Sequence, residues 1–175
     1  LRAGRAVPAA DLYRQGALQG DGVAARKLGL LLDDHLVRPE SYGNAISWFE
    51  RACTLRDVVG CHNAGVAFEY GQSGAVKDLT KAFAFYSEAA ECGYMQSQYN
   101  LASLYSNNYV SPPNSIEGYK WMLLAQQQAS ACQASELCRW VLADPPGHRQ
   151  KLESLLSPEQ IERSKSLIES WKPRR

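Results

Sequence analysis

Cys61-His62-Asn63-Ala64-Gly65-Val66-Ala67-Phe68-Glu69-Tyr70-Gly71, a loop ending in Val76-Lys77-Asp78, and then Ala82-Phe83-Ala84-Phe85-Tyr86-Ser87-Glu88-Ala89-Ala90-Glu91-Cys92-Gly93 read as one helix, a turn and a second helix. The small residues Gly65, Ala82, Ala89 and Ala90 allow close helix approach, while Phe68, Phe85 and Tyr86 fill the gaps. The unit recurs along the chain. Gly29, Gly65 and Ala102 lie 36 and 37 residues apart, and Ala45, Ala82 and Gly118 lie 37 and 36 apart. A period of that length in helical sequence predicts a solenoid, in which each pair buries its apolar face against the next.

The residues that repeat also carry a family resemblance. The pattern Ala-x-x-x-Leu-Gly-x-x-Tyr, a Gly-rich loop, then Asp-x-x-x-Ala-x-x-Trp/Phe-x-x-x-Ala-Ala-x-x-Gly resembles the Sel1-like repeat, a relative of the tetratricopeptide repeat. The second repeat matches it closely, and Ala24 to Val59 and Ser97 to Gln128 match it well, together about two thirds of the chain. Leu156 to Pro173 resembles the terminal helix that often caps Sel1-like proteins. The resemblance implies an all-α, right-handed α-solenoid of about three helix-turn-helix repeats in one domain over residues 1–175. Its parts would be a half repeat at 7–22, repeats near 23–59, 60–96 and 97–130, and a helical cap at 131–171.

Taken in order, Leu1 to Ala6 reads as frayed, and Pro8 as a helix start. The helix after it corresponds to the second helix of a repeat, since Tyr13, Phe49 and Tyr86 are equivalent. First helices are expected near Val23–Asp34, Val58–Tyr70 and Gln96–Ser106, and second helices near Tyr42–Leu55, Leu79–Cys92 and Ser115–Ala129. Ser41, Asp78 and Asn114 precede the second helices as N-caps, each worth about 1 kcal/mol. Tyr109-Val110-Ser111-Pro112-Pro113 predicts a stiff loop. Beyond the third repeat, helices are expected at Gln133–Ala143 and His148–Leu156, broken by Asp144-Pro145-Pro146-Gly147. Ser157-Pro158-Glu159-Gln160 is a capping box opening the last helix.

A net charge of +1, with 19 basic and 18 acidic residues, gives no global field to attract nucleic acid or an anionic membrane. The basic end, Lys172-Pro173-Arg174-Arg175, reads as a solvated tail. No apolar run reaches the roughly 18 to 20 residues of a membrane span. A first residue other than methionine suggests a processed, exported protein whose leader has been removed, periplasmic or secreted, and a monomer on its own.

Cys53 closes a second helix and Cys61 opens the next, so a short turn can bring them together. That spacing is similar to the Helicobacter cysteine-rich branch of the family, where such pairs form disulfides. Cys132 and Cys138 pair only if a helix starts or ends between them, because six residues of unbroken helix separate Cα atoms by about 9 Å. Cys92 is left over and reads as a small buried hydrophobe. Two pairable couples favour an oxidising compartment. Neither spacing is a zinc ligand pattern and no paired histidines accompany them, so no metal or other cofactor is expected.

His35, His62 and His148 have no base or ligand partner at telling spacing, and there is no GxSxG, HExxH, Walker or Rossmann signature and no Ser-x-x-Lys. A non-enzymatic role is expected. In a helix-pair solenoid the first helices line a concave face, which puts Lys27, Asn63 and Asn100 in equivalent places, with Val66, Tyr70, Ser103 and Asn107 one and two turns on. The loops carrying Asp33, Asp34 and His35, or Asn107, Asn108 and Tyr109, are a second candidate surface. The resemblance implies a protein partner in the bacterial envelope, as adaptor or assembly factor. Its rivals are an immunity protein against a lipase-type effector and a hydrolase of peptidoglycan or β-lactams.

Overall fold

The computed structural model describes residues 3–109, 113–132 and 134–174. It is all-α over those residues: α1 (Ala3–Leu18), α2 (Gly22–Asp33), α3 (Pro39–Tyr42), α4 (Ala45–Thr54), α5 (Val58–Tyr70), α6 (Leu79–Glu91), α7 (Met95–Ser106), α8 (Ser115–Ala131), α9 (Glu136–Ala143), α10 (His148–Ser154) and α11 (Pro158–Ser170). Contacts gather the chain into two compact units, Leu1–Phe85 and Tyr86–Arg175.

In the first unit α2 packs on α1, α4 and α5, and α4 packs on α5. Alanine makes the close approach possible: Ala17, Ala24, Ala25 and Ala52 are buried together, with Tyr13, Trp48 and Leu55 against them. Gly29 is required where α2 meets α4, because a Cβ there would lie 2.6 Å from the Phe49 ring. Phe49 itself is buried.

Asp78 and Asn114 cap their helices as expected, and Asp21 and Asp57 cap two more. Asp21 accepts from Ala24 N at 3.0 Å and Asp57 from Gly60 N at 2.6 Å. Asp78 accepts from Thr80 N and Lys81 N, and Asn114 from Glu117 N. Ser41 does not cap. It belongs to the short helix α3, and Gly43, at φ 80°, separates that turn from α4, whose N-cap is Asn44. The Asn44 side chain makes no cap bond; Ile46 N is satisfied instead by the Ser73 carbonyl at 2.9 Å. The turn of the second repeat thus closes the helix end of the first.

Pro8 does not start a helix either, since α1 begins at Ala3 and carries Pro8 inside it. A proline there has no N–H for the Gly4 carbonyl, and its ring crowds that carbonyl. Ala6, Ala10 and Ala17 bury one side of α1.

In the second unit α7 and α8 pair, and α9, α10 and α11 pack on α8, with α10 also on α7. Gly118 permits the crossing, since its Cβ would lie 2.5 Å from the Cβ of Tyr105. The capping box of α11 forms with both bonds present. Residues 172–174 after α11 are exposed, as expected of a solvated tail, yet they also make contacts, and Arg175 lies outside the described residues. Trp171 meets Trp121 edge-on at 6.1 Å, and Arg174 N donates to the Glu91 carbonyl at 2.7 Å. Of the expected stiff loop, residues 110–112 also lie outside the described residues.

Both cysteine couples are bonded. Cys53 of α4 and Cys61 of α5 stand 4.4 Å apart at Cα. Cys132 is the C-cap of α8 and Cys138 lies in α9, so a helix ends and another begins between them, and their Cα atoms come to 5.9 Å. Cys92 is a free, half-buried thiol.

Candidate interaction site

The loop edge of the first unit holds an open cleft of about 410 Å³, walled by the end of α2 and its loop on one side and by the turn after α5 on the other. Leu32, Asp33, His35, Pro39, Asn44 and Ser73 line it. The walls are tied at their base, where the Ser73 hydroxyl donates to Asp33 Oδ1 at 2.5 Å. Gly71, in the left-handed region, ends α5 and turns the chain into the wall; Ser73 adopts a positive φ of 60°.

A smaller groove of about 80 Å³ shares Asp33, Gln72 and Ser73 with the cleft and continues it onto the helix faces through Leu30, Phe49, Asn63 and Val66. A third recess of about 310 Å³ lies on the far side of the same turn, between Phe68, Val76 and Lys81. Its apolar floor is Phe68, stacked on Phe85 at 5.6 Å and covered by the Lys81 ammonium at 4.8 Å.

Chemically, the cleft and its groove offer apolar patches beside hydrogen-bonding groups. Asp33, Asn44 and Gln72 are exposed. A carboxylate has about four lone-pair sites, of which Ser73 takes one, and the Asn44 carboxamide is not spent on capping. Neither lining includes lysine or arginine. Such a surface suits an extended polypeptide, whose backbone amides the carboxamides can pair and whose cationic side chains Asp33 can accept.

The expected residues fall in several places. Asn63 and Val66, both half-buried, line the groove with the loop residue Asp33, so the helix row and the loop surface meet there. Tyr70 is 65% exposed one turn further along α5. Lys27 lies over the Tyr13 ring at 5.4 Å, outside both linings. In the second unit Asn100 and Ser103 are half-buried on α7, and Asn107 accepts from Lys151 Nζ at 2.9 Å, so α10 engages that end of the row. Sequence reasoning missed Asn44, Gln72 and Ser73. The available signal was the Gly71-Gln72-Ser73-Gly74 turn, which marks a tight loop without saying what stands opposite.

The second unit brings His148 Nδ1 to 2.8 Å from Ser106 Oγ, with Tyr99 edge-on to the imidazole and donating to Asp144 at 2.6 Å. Ser106 is fully buried and also donates to the Ser103 carbonyl, so the pair holds α10 against α7. Burial pulls the His148 pKa below the ordinary imidazole value. No group of three or more His, Cys, Asp or Glu that could hold a metal occurs among the described residues. No helix among them is long and apolar enough to cross a membrane.

The Sel1 repeat model matches residues 22–57, 58–94 and 96–129, more than half of the chain. This chain belongs to the Sel1 repeat family. F-box protein At1g70590 of Arabidopsis thaliana is 31% identical over 94 residues, 54% of this chain and 25% of that protein. Among solved structures, c5321, a protective antigen of uropathogenic Escherichia coli with an SLR fold, superposes with a TM-score of 0.65 at 20% identity. That match covers 93% of this chain and 32% of the antigen. A Sel1 repeat protein from Oxalobacter formigenes gives 0.56 at 24% identity, covering 62% of this chain and 44% of its own. The chain therefore spans a quarter to under half of these relatives, and the structural likenesses establish the all-α Sel1 repeat fold. Sel1 repeats are generally protein–protein interaction modules and typically non-enzymatic. Two cysteine couples at disulfide distance, with no membrane-spanning helix among the described residues, are compatible with a periplasmic or extracellular protein.

Proposed function

We propose that this Sel1 chain is a non-enzymatic adaptor of the bacterial cell envelope that holds an extended segment of a partner protein along the loop edge of its first unit. One observation carries the reading. The cleft and the groove share Asp33, Gln72 and Ser73, which makes one path from the loop cleft to Asn63 and Val66. Tyr70 stands further along α5 as an aromatic contact and Lys27 on α2 as a polar one, while Asn100, Ser103 and Asn107 form a contact row of the second unit by itself. The two disulfides support placement in an oxidising compartment, where they hold helix ends without a large core.

Site-specific photocrosslinking tests this. A benzophenone side chain at Gln72, with an identical one at Glu162 in α11 as control, is exposed to envelope fractions kept oxidised. Capture at Gln72 and not at Glu162 is expected, and capture of several envelope components marks an adaptor. One stoichiometric hydrolase captured there would replace the adaptor by an immunity protein, and equal capture at both positions would remove the cleft from the account.

A further inference from the structure

We propose that the second unit carries a separate peptide groove, formed by the α6–α7 turn and Trp121, which accepts an extended aromatic-x-Pro-basic segment of a partner protein and which the chain's own Trp171-Lys172-Pro173-Arg174 occupies in cis. The tail is bound as a peptide would be. Trp171 leaves the helix in extended backbone, at φ −75° and ψ 137°, and no helix follows it through Arg174. The indole lies edge-on to the buried Trp121, the aromatic contact of the groove.

Two positions further on, Pro173 packs over Gly93, where a Cβ would come within 3.3 Å of the proline Cβ. Gly93 also has φ +86°, so the turn itself favours glycine here, and the absent Cβ lets Pro173 sit close. Arg174 supplies the polar end: its N–H donates to the Glu91 carbonyl at 2.7 Å and its guanidinium stands 3.4 Å from the Glu91 carboxylate. One aromatic anchor, one proline, one main-chain hydrogen bond and one charge pair define the motif.

The hold is built for exchange. The charge pair is open to water, with the Arg174 side chain 62% and that of Glu91 32% exposed, so it is weaker than a buried pair while still discriminating charge. The Trp171 indole N–H is buried without an acceptor, so the tail is an imperfect occupant of its own site. An intramolecular segment still has the advantage of high effective concentration, and a partner's segment must compete with it.

The test uses the full chain with its tail loosened, Pro173→Gly with Arg174→Ala, and a labelled acetyl-Ser-Trp-Lys-Pro-Arg-amide peptide read by anisotropy. The loosened chain should bind the peptide at least about tenfold more tightly than the unaltered chain. Adding Glu91→Lys should weaken the Arg-ended peptide and restore binding to one ending in Glu. A loosened chain of unchanged helicity that binds neither peptide, or both alike, overturns the proposal. Should the loosening cost the fold, the unaltered chain carrying fluorinated tryptophan decides: excess peptide must move the Trp171 resonance, and no movement overturns it. Concentration-dependent dimerisation of the unaltered chain by tail exchange would replace the partner's segment with a second copy.

Discussion

Asp57 bonds two elements at once: its Oδ1 accepts Gly60 N at 2.6 Å to cap α5 and Arg26 Nε at 2.9 Å from α2. The carboxylate side chain is only 7% exposed, and that of Arg26 20%. The cap and the ion pair share one atom, so the two losses on substitution are not the same. Asp57→Ala should cost about 2–3 kcal/mol, from an N-cap worth about 1 kcal/mol and a partly buried guanidinium left unpaired. Asp57→Asn keeps an acceptor for Gly60 N and should cost about half as much. Urea denaturation of both variants decides it, and equal losses would mean that the charge carries the whole effect and the cap bond contributes nothing.

Gly29→Ala should destabilise by about 1–3 kcal/mol, because the new methyl meets the buried Phe49 ring and something must shift to admit it. Combining it with Phe49→Leu should recover part of that loss. A single substitution as stable as the parent would mean that α2 and α4 are more loosely packed than described.

Acid should weaken the fold through His62, whose pKa burial pulls down to about 4. The unfolded state then binds more protons between about pH 6.5 and 4, so stability is full above that window and is lost as pH falls through it. The loss between pH 7 and pH 5 should be roughly 2 kcal/mol for this one group. His148, lowered by burial in the same direction, adds to it. Chemical denaturation at the two pH values should show a smaller difference in His62→Gln than in the parent, and an unchanged difference would contradict the assignment.

Each disulfide closes a short loop, of sequence separation 8 and 6. Replacing either pair by serine should cost about 2–3 kcal/mol by the chain-entropy estimate. In Cys132→Ser/Cys138→Ser the loss should appear as faster amide exchange in α9, the helix that the bond ties to α8. Unchanged exchange would mean that Trp140 on Tyr99, at 4.9 Å, already suffices to hold it.

The helix pairs were legible because their signals are local and periodic. Gly29, Gly65 and Ala102 recur at one spacing, and Asp78, Asn114 and Ser157 announce helix starts by chemistry that needs no tertiary partner. Ser41 misled for the converse reason: an N-cap residue in register cannot reveal that Gly43, two positions on, breaks the helix, or that Ser73 closes it from another repeat. Asn44, Gln72 and Ser73 were illegible as a site because they come together only when two turns about 30 residues apart face each other. The tail's contacts escaped notice because Lys172, Pro173 and Arg174 are exposed residue types whose partners, Glu91 and Gly93, lie some 80 residues away in sequence.

The most direct measurement is the affinity of the partner crosslinked at Gln72 for the parent chain and for Gln72→Trp/Asn63→Arg, with circular dichroism and melting unchanged between them. The account predicts a loss of at least about tenfold, the scale of 1.4 kcal/mol at a central contact. An unchanged affinity in a folded double variant would contradict recognition through this cleft.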